Sequence, residues 1–261
     1  MGKKILKNMF LYLVFAFLFL PIIVLIIYSF NSSSMNIIFE HFTFDWYHKL
    51  FENTDLISSF TNTLIVASVS TIISTIIGTM SAYGLYKYSF KGKNIINGLI
   101  YVPIVIPEIV MGISLLSIFT LMKLELSLFT IILAHIAFSI PFVIVSVRST
   151  LTNDIKVLEE SAKDLGASNF TIFRKIVLPT IMPSIISGAT LAFTLSLDDV
   201  VISYFTAGPG SNTLPLYIYS LIKTGITPDV NALSTLMMLV VFTILISVTL
   251  YQSKKIRSRA L

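Results

Sequence analysis

Glu160-Ser-Ala-Lys-Asp-Leu-Gly166, followed after nine residues by Ile176-Val-Leu-Pro179, is a charged island in an otherwise apolar chain. Hydrophobic residues make up 55% of the 261 and charged residues 12%, with a mean hydropathy of +0.89. A soluble domain usually carries about 25% charged residues. Around the island lie six apolar runs, at about 10–30, 58–86, 95–122, 127–148, 183–206 and 231–251. Each is near or above the roughly 20 residues that cross a bilayer as a helix. The pattern predicts an all-α, polytopic membrane protein with six transmembrane helices in one domain over residues 1–261. The island, residues 153–179, becomes a loop between the fourth and fifth spans.

The first run follows Lys3, Lys4 and Lys7, as the apolar core of a signal peptide would. From Phe10 to Phe30 it is longer than such a core, and no small-residue cleavage site follows, so it is expected to stay as a span. Cysteine is absent, which removes disulfides and thiolate metal sites. Orientation follows from the cations. With both ends on one side, that side holds Lys3, Lys4, Lys7, Lys87, Lys91, Lys93, Arg148, Lys156, Lys163, Arg174, Lys175, Lys254, Lys255, Arg257 and Arg259. The other holds only Lys49, Lys123 and Lys223. Both termini and the island are therefore expected in the cytoplasm. The same asymmetry accounts for the net charge of +5 without a nucleic acid partner; the basic tail suits anionic membrane lipid.

Of the outer segments, residues 31–56 carry Phe42, Trp46, Leu50 and Phe51 at helical spacing, predicting a short amphipathic helix at the interface, with Trp46 as an anchor or part of an amine cage. Ala207-Gly-Pro-Gly-Ser-Asn-Thr-Leu-Pro215 is rich in turn formers and reads as a loop. Nothing fits G-x4-G-K-[ST], so any ATP chemistry must come from a partner. No nucleophile–base set and no metal-ligand cluster is visible, so no catalytic residue and no metal site is assigned.

Within the island, Ile155, Leu158, Ala162 and Leu165 form an apolar stripe, with Glu159, Lys163 and Asp164 turned elsewhere. Gly166 stands where a left-handed residue ends a helix. Ser168 is placed to cap a second short helix over about 169–177, which Pro179 is expected to stop. Pro183 suits the first turn of the next span. The expected product is a helix–elbow–helix projecting from the membrane.

The spacing of Glu160, Ala162, Gly166, Ile176, Leu178 and Pro179, E-x-A-x3-G-x9-I-x-L-P, resembles the EAA loop of binding-protein-dependent ABC importer permeases of type I. Ser161 stands where the first alanine is usual. The resemblance implies that Glu160, Ser161, Ala162, Gly166, Ile176, Leu178 and Pro179 couple the chain to a cytoplasmic ATPase dimer. It also implies a second, homologous permease subunit and an extracytoplasmic binding protein, with ATP and Mg held by the ATPase rather than by this chain.

Inside the six runs, tyrosines and the terminal Arg148 aside, only Glu108, His135, Asp198 and Asp199 are ionisable. Acids in a bilayer core are costly unless they face a cavity or a partner. At about 1.5 Å rise per residue, Glu108 would lie roughly 20 Å from Ile95 and Asp198 roughly 22 Å from Pro183, at similar depth in the outer half. Ser187, Thr190, Thr194 and Asp198 fall within about 80° of one another, a polar lane ending in an acid. Asp199 is turned about 100° away on a regular helix and either faces the pathway or pairs with a residue of a neighbouring subunit. Pro103 and Pro107 are expected to break the third span before Glu108. His135 reads as a packing residue. A path lined by acids favours a cationic substrate; an oxyanion would call for Lys, Arg or helix N-termini.

Ser196-Leu-Asp-Asp-Val-Val-Ile202, the Gly208–Pro215 segment and Asp229-Val-Asn-Ala-Leu-Ser-Thr-Leu236 resemble the second permease subunit of spermidine/putrescine importers, and the likeness runs over essentially the whole chain. It implies that Trp46, Glu108, Ser196, Asp198 and Asp199 stand along a polyamine path, with Glu108 where an aspartate is familiar. Other cargoes of the same importer type (ferric iron, thiamine, a phosphonate) remain open at this point. So does a carrier that works without an ATPase.

Overall fold

A computed structural model describes residues 2–33, 38–221 and 227–257. Lys223 and Arg259, counted above in the charge asymmetry, lie outside them. The described residues form helices joined by turns and loops, with one isolated bridge, Asn31 with Phe42. The chain divides into two compact units. One is built from the ends of the chain, up to Ile57 and from Ser220, and the other from Ser58–Tyr219.

In the first unit, α1 (Gly2–Tyr28), α2 (Asp45–Glu52) and α13 (Pro228–Arg257) pack together. The amphipathic helix expected in the 31–56 segment is α2, and it is short because Phe42 belongs to the preceding bridge. Leu50 is buried while Phe51 stays exposed. Asn53 Nδ2 donates to Asp229 Oδ2 at 2.7 Å. Asp229, Val230, Asn231, Ala232, Leu233 and Thr235 at the start of α13 are all buried.

The second unit carries the remaining elements. Among the described residues, four helices are long and apolar enough to cross a membrane: Asn8–Tyr28, Thr54–Lys87 (α3), Leu128–Arg148 (α7) and the continuous stretch Asn169–Asp198. The run at 95–122 is not a straight span. It is α4 (Lys93–Leu99), α5 (Val102–Val105) and α6 (Glu108–Leu121), bent by 109° between Lys93–Val105 and Glu108–Leu121. The cause is the expected one: Pro103 lies in the first turn of α5 and Pro107 directly precedes α6, so neither asks for an amide donor that it lacks. Counting the bent pair as one gives up to five crossings by length and composition. The sixth run lies in α13, whose segment Pro228–Thr243 is apolar but shorter.

The fifth run departs from expectation at both ends. After α8 (Asn153–Asp164) and α9 (Asn169–Ile172), the helix does not stop at Pro179. It passes through a π-turn, Phe173–Val177, into α10 (Leu178–Asp198). A proline in a helix lacks its own donor and its ring crowds the carbonyl four residues back. Widening the turn just before Pro179, with Leu178 N–H reaching back to Phe173 O, relieves that crowding without ending the helix. At the other end α10 stops at Asp198, because Asp199 is extended (φ −66°, ψ 125°), and a separate helix α11 (Val201–Thr206) follows. The span therefore ends eight residues before the expected limit at 206. α12 (Leu214–Leu221) closes the unit.

Packing in this unit is dominated by α7 against α10 and by α11 against α6 and α7. α7 begins in a capping box, in which Thr130 Oγ1 accepts from Ser127 N–H at 2.8 Å. On α6, Gly112 lies so close to α11 that a Cβ there would stand 2.6 Å from Phe205 Cδ2. That close approach fixes α6, which Glu108 begins one turn earlier, against α11.

Candidate functional site

A cavity of about 340 Å³ in the second unit is lined by Glu108 and Asp198, by Pro103, Ile104 and Ile106 of the break, and by Phe138 and Phe142 of α7. The depth argument from straight helical rise fails for Glu108 because of the 109° bend. The bend itself carries Glu108 to the cavity that Asp198 also lines. Both acids are exposed in the isolated chain.

The hydroxyls of the lane leading to Asp198 are committed in one sense. Ser187 Oγ donates to Pro183 O (3.0 Å), Thr190 Oγ1 to Ile186 O (2.8 Å) and Thr194 Oγ1 to Thr190 O (2.9 Å). With each proton directed into the helix, the exposed side of each oxygen is an acceptor. The lane and the acids together present acceptors to whatever enters, which suits a ligand made of N–H donors and positive charge.

Asp199 also lines the cavity but is held differently. It is 9% exposed, and its carboxylate accepts from the N–H groups of Ile202 (3.1 Å) and Ser203 (2.7 Å) and from Ser203 Oγ (2.8 Å). Those are otherwise unpartnered amides at the start of α11. His135, fully buried on α7, brings Nε2 to 3.3 Å from Asp199 Oδ2 and places Nδ1 2.6 Å from Ser196 Oγ. Ser196 in turn meets Ser70 Oγ of α3 at 3.3 Å. Ser196 and Asp199 thus belong to a buried polar network that pins the α10–α11 corner, with His135 at its centre. The partner of Asp199 lies in this chain. One signal in the sequence pointed to it: Asp199 stands three and four residues before Ile202 and Ser203, the spacing of a carboxylate that collects a helix's first amides.

Trp46 lies in the first unit. Its Nε1–H donates to Asn31 O at 2.6 Å, and Lys49 Nζ sits 4.4 Å from its ring centroid, so this chain's own ammonium occupies one face.

The elbow forms the second candidate region. Gly166 takes φ +82°, the left-handed conformation, and Ser168 Oγ accepts from Thr171 N–H at 3.3 Å. The elbow does not project freely. Ile155, Ile172, Val177 and Ile181 are buried in one cluster with Tyr83 of α3 and Val143 and Val147 of α7, and Ala162 and Ile176 pack against it. The stripe expected on α8 is also revised: Leu158 and Leu165 are exposed, the latter 89%, while Glu159 is 6% exposed and lies inward with Ile155. A charge displaces an apolar residue there because it finds partners: Tyr83 Oη donates to Glu159 Oε1 at 2.9 Å, and Lys87 Nζ is 3.5 Å from Oε2. Glu160, Ser161 and Gly166 are exposed, Leu178 is half-buried, and Pro179 is exposed on the first turn of α10. With Val157, Leu158, Leu165 and Phe170 also exposed, the outer side of the elbow combines apolar side chains with an acid.

A helical chain with several membrane-length helices, a broken span, an acid-lined cavity at one end of α10 and an amphipathic elbow at the other is a multi-pass membrane transport subunit. A family model for the inner membrane component of binding-protein-dependent transport systems matches residues 74–258. The spermidine/putrescine transport system permease protein PotC of Escherichia coli (strain K12) is 45% identical over 236 residues, covering 90% of this chain and 89% of that protein. The putrescine transport system permease protein PotI of the same organism is 38% identical over 231 residues, covering 86% and 82%. The chain belongs to this family of binding-protein-dependent inner membrane permeases. Among solved structures, a bacterial ABC transporter involved in import of the acidic polysaccharide alginate matches with TM-score 0.71 at 17% identity over 95% of each chain. The MetNI methionine ABC transporter matches with TM-score 0.61 at 19% identity, over 74% of this chain and 92% of that one. These two likenesses establish the fold. They also show that one fold serves a polyanion and an amino acid transporter, so cargo must be read from the site.

Proposed function

We propose that this chain is a non-catalytic transmembrane subunit of an ATP-driven importer that carries polyamines, spermidine or putrescine, into the cytoplasm by alternating access. One observation carries the cargo reading: Glu108 and Asp198 share a cavity approached along a lane of acceptor oxygens, and no Lys or Arg lines it. Two carboxylates and a row of acceptors match the charge and N–H donors of a di- or trivalent amine. Relatives named for spermidine and putrescine transport, at 45% and 38% identity, support the same cargo.

In this reading the elbow and both termini face the cytoplasm, and the elbow's outer side seats on an ATPase dimer that holds ATP and Mg. A second permease of the same family completes the path, and a polyamine-binding protein delivers cargo at the outer mouth. ATP binding moves the elbow and tilts the spans. Two acids per site hold the amine loosely enough for release, since each contact is made in a water-accessible cavity rather than a dry one.

The test is uptake of labelled spermidine and putrescine by cells whose only polyamine importer contains this chain, with competition by unlabelled amines, ferric iron, thiamine and a phosphonate. Competition by di- and triamines alone is expected. Competition by any of the other three, with none by amines, overturns the cargo reading.

A further inference from the structure

The elbow is tied to the rest of the chain by a buried polar joint that the coupling motif does not include. Glu159 stands beside the motif's acid Glu160, yet the two are in opposite environments: Glu159 is 6% exposed, whereas the Glu160 side chain is 62% exposed. Two side chains of α3, Tyr83 and Lys87, meet Glu159 of α8. Tyr83 Oη donates to Oε1 (2.9 Å), Lys87 Nζ faces Oε2 (3.5 Å), and Lys87 Nζ also donates to Tyr83 Oη (2.6 Å) while standing 5.0 Å from its ring centroid. The Tyr83 ring packs on Phe173 of the π-turn at 4.9 Å between centroids. Next to the joint, Tyr86 Oη donates to Thr152 O at 3.2 Å, just ahead of α8.

We propose that Glu159, Lys87 and Tyr83 make α8 and the α8-facing end of α3 move as one body, so that Glu159 is a positioning residue for energy coupling, acting through α3 rather than through the ATPase surface. The geometry favours a joint over a mere anchor because its members close a ring. Each of the three side chains contacts the other two, so α8 cannot slide along α3 without separating a buried carboxylate from its ammonium and its phenol together. Separating them in low-dielectric surroundings is far more costly than bending the apolar contacts beside them. A push on the exposed side of α8 therefore reaches Lys87 and continues along α3, whose Ser70 meets Ser196 at the corner beside the cavity. Lys156, by contrast, pairs with Glu160 only at 3.9 Å across solvent and transmits nothing.

This inference rests on the importer reading above, and the test separates the two. The complex of this chain with its partner permease and ATPase is reconstituted in proteoliposomes, and spermidine uptake and ATP hydrolysis are measured together. For Glu159→Gln and Lys87→Met, the ATPase is expected to co-purify and hydrolyse ATP at near wild-type rate, while spermidine moved per ATP falls about tenfold. Exchange of the charges, Glu159→Lys with Lys87→Glu, is expected to recover at least a third of the wild-type ratio, and Lys156→Ala to leave it unchanged. Tyr83→Phe keeps the ring against Phe173 and removes only the hydroxyl. It carries the test if the Glu159 variant does not accumulate, with an expected threefold fall in the ratio. A wild-type ratio in the single variants, or no recovery in the exchanged pair, overturns the joint. Failure of the wild-type chain to bring down any ATPase overturns the importer reading instead.

Discussion

Two pairs of adjacent acids, Asp198–Asp199 at the cavity and Glu159–Glu160 at the elbow, are built on one plan. In each, one carboxylate is buried against a basic side chain of the same chain: His135 for Asp199, Lys87 for Glu159. Its neighbour is left exposed. On a regular helix, neighbouring residues point about 100° apart, so a buried acid that fixes the backbone automatically presents the next one elsewhere. At the elbow this is the whole device. At the cavity the helix also breaks between the two acids, which turns Asp198 into the last residue of α10 and Asp199 into the collector of the first amides of α11. The comparison teaches that the charge available to a ligand is smaller than the acid count. The Asp199 carboxylate is engaged by His135 and the first amides of α11, which leaves Asp198 and Glu108 as the exposed acids of the cavity.

The largest effect expected is on the buried member of the cavity pair. His135→Ala removes the imidazole that faces Asp199 and links it to Ser196, leaving a buried carboxylate short of a partner. A loss of about 3 kcal/mol in stability is expected, visible as a lower thermal unfolding midpoint in detergent. An unchanged midpoint would break the parallel with the elbow. Next comes the exposed member. Asp198→Asn should cost about 1.5–3 kcal/mol of interaction with an ammonium, read as a roughly 10- to 100-fold loss of spermidine uptake at low substrate, with normal accumulation in the membrane. The elbow's corner is more modest: Gly166→Ala forces a Cβ into φ +82°, at about 1–2 kcal/mol. It should weaken ATPase co-purification without altering competition between amines. Smallest is Lys156→Ala, since an exposed i,i+4 pair contributes no more than about 0.5 kcal/mol. Its unfolding midpoint should match wild type within error.

What the sequence made legible divides along the same line. Apolar runs mark the long helices, Pro103 and Pro107 mark the break before Glu108, and Gly166 and Ser168 mark the elbow, because each signal is local. Four features were not legible, and all depend on distant partners or on small backbone adjustments. Glu159 reads as a solvent-facing charge until Tyr83 and Lys87, more than seventy residues earlier, are folded against it. His135 reads as packing until the α10–α11 corner comes to it. The helix runs through Pro179 because a π-turn widens the backbone before it. The fifth span ends at Asp198 with no Gly or Pro nearby, since the break is made by hydrogen bonds to the Asp199 side chain. Glu108 and Asp198 do line one cavity, although the depth argument that brought them together is invalidated by the bend.

The most direct measurement sets Asp198→Asn beside Asp199→Asn, with spermidine uptake against concentration and thermal unfolding recorded for both. The account predicts a raised half-saturation concentration with unchanged unfolding for Asp198→Asn. For Asp199→Asn it predicts a lowered unfolding midpoint, with a half-saturation concentration near wild type for the protein that remains folded. The reverse assignment, with Asp199→Asn weakening substrate and Asp198→Asn weakening the fold, would contradict it.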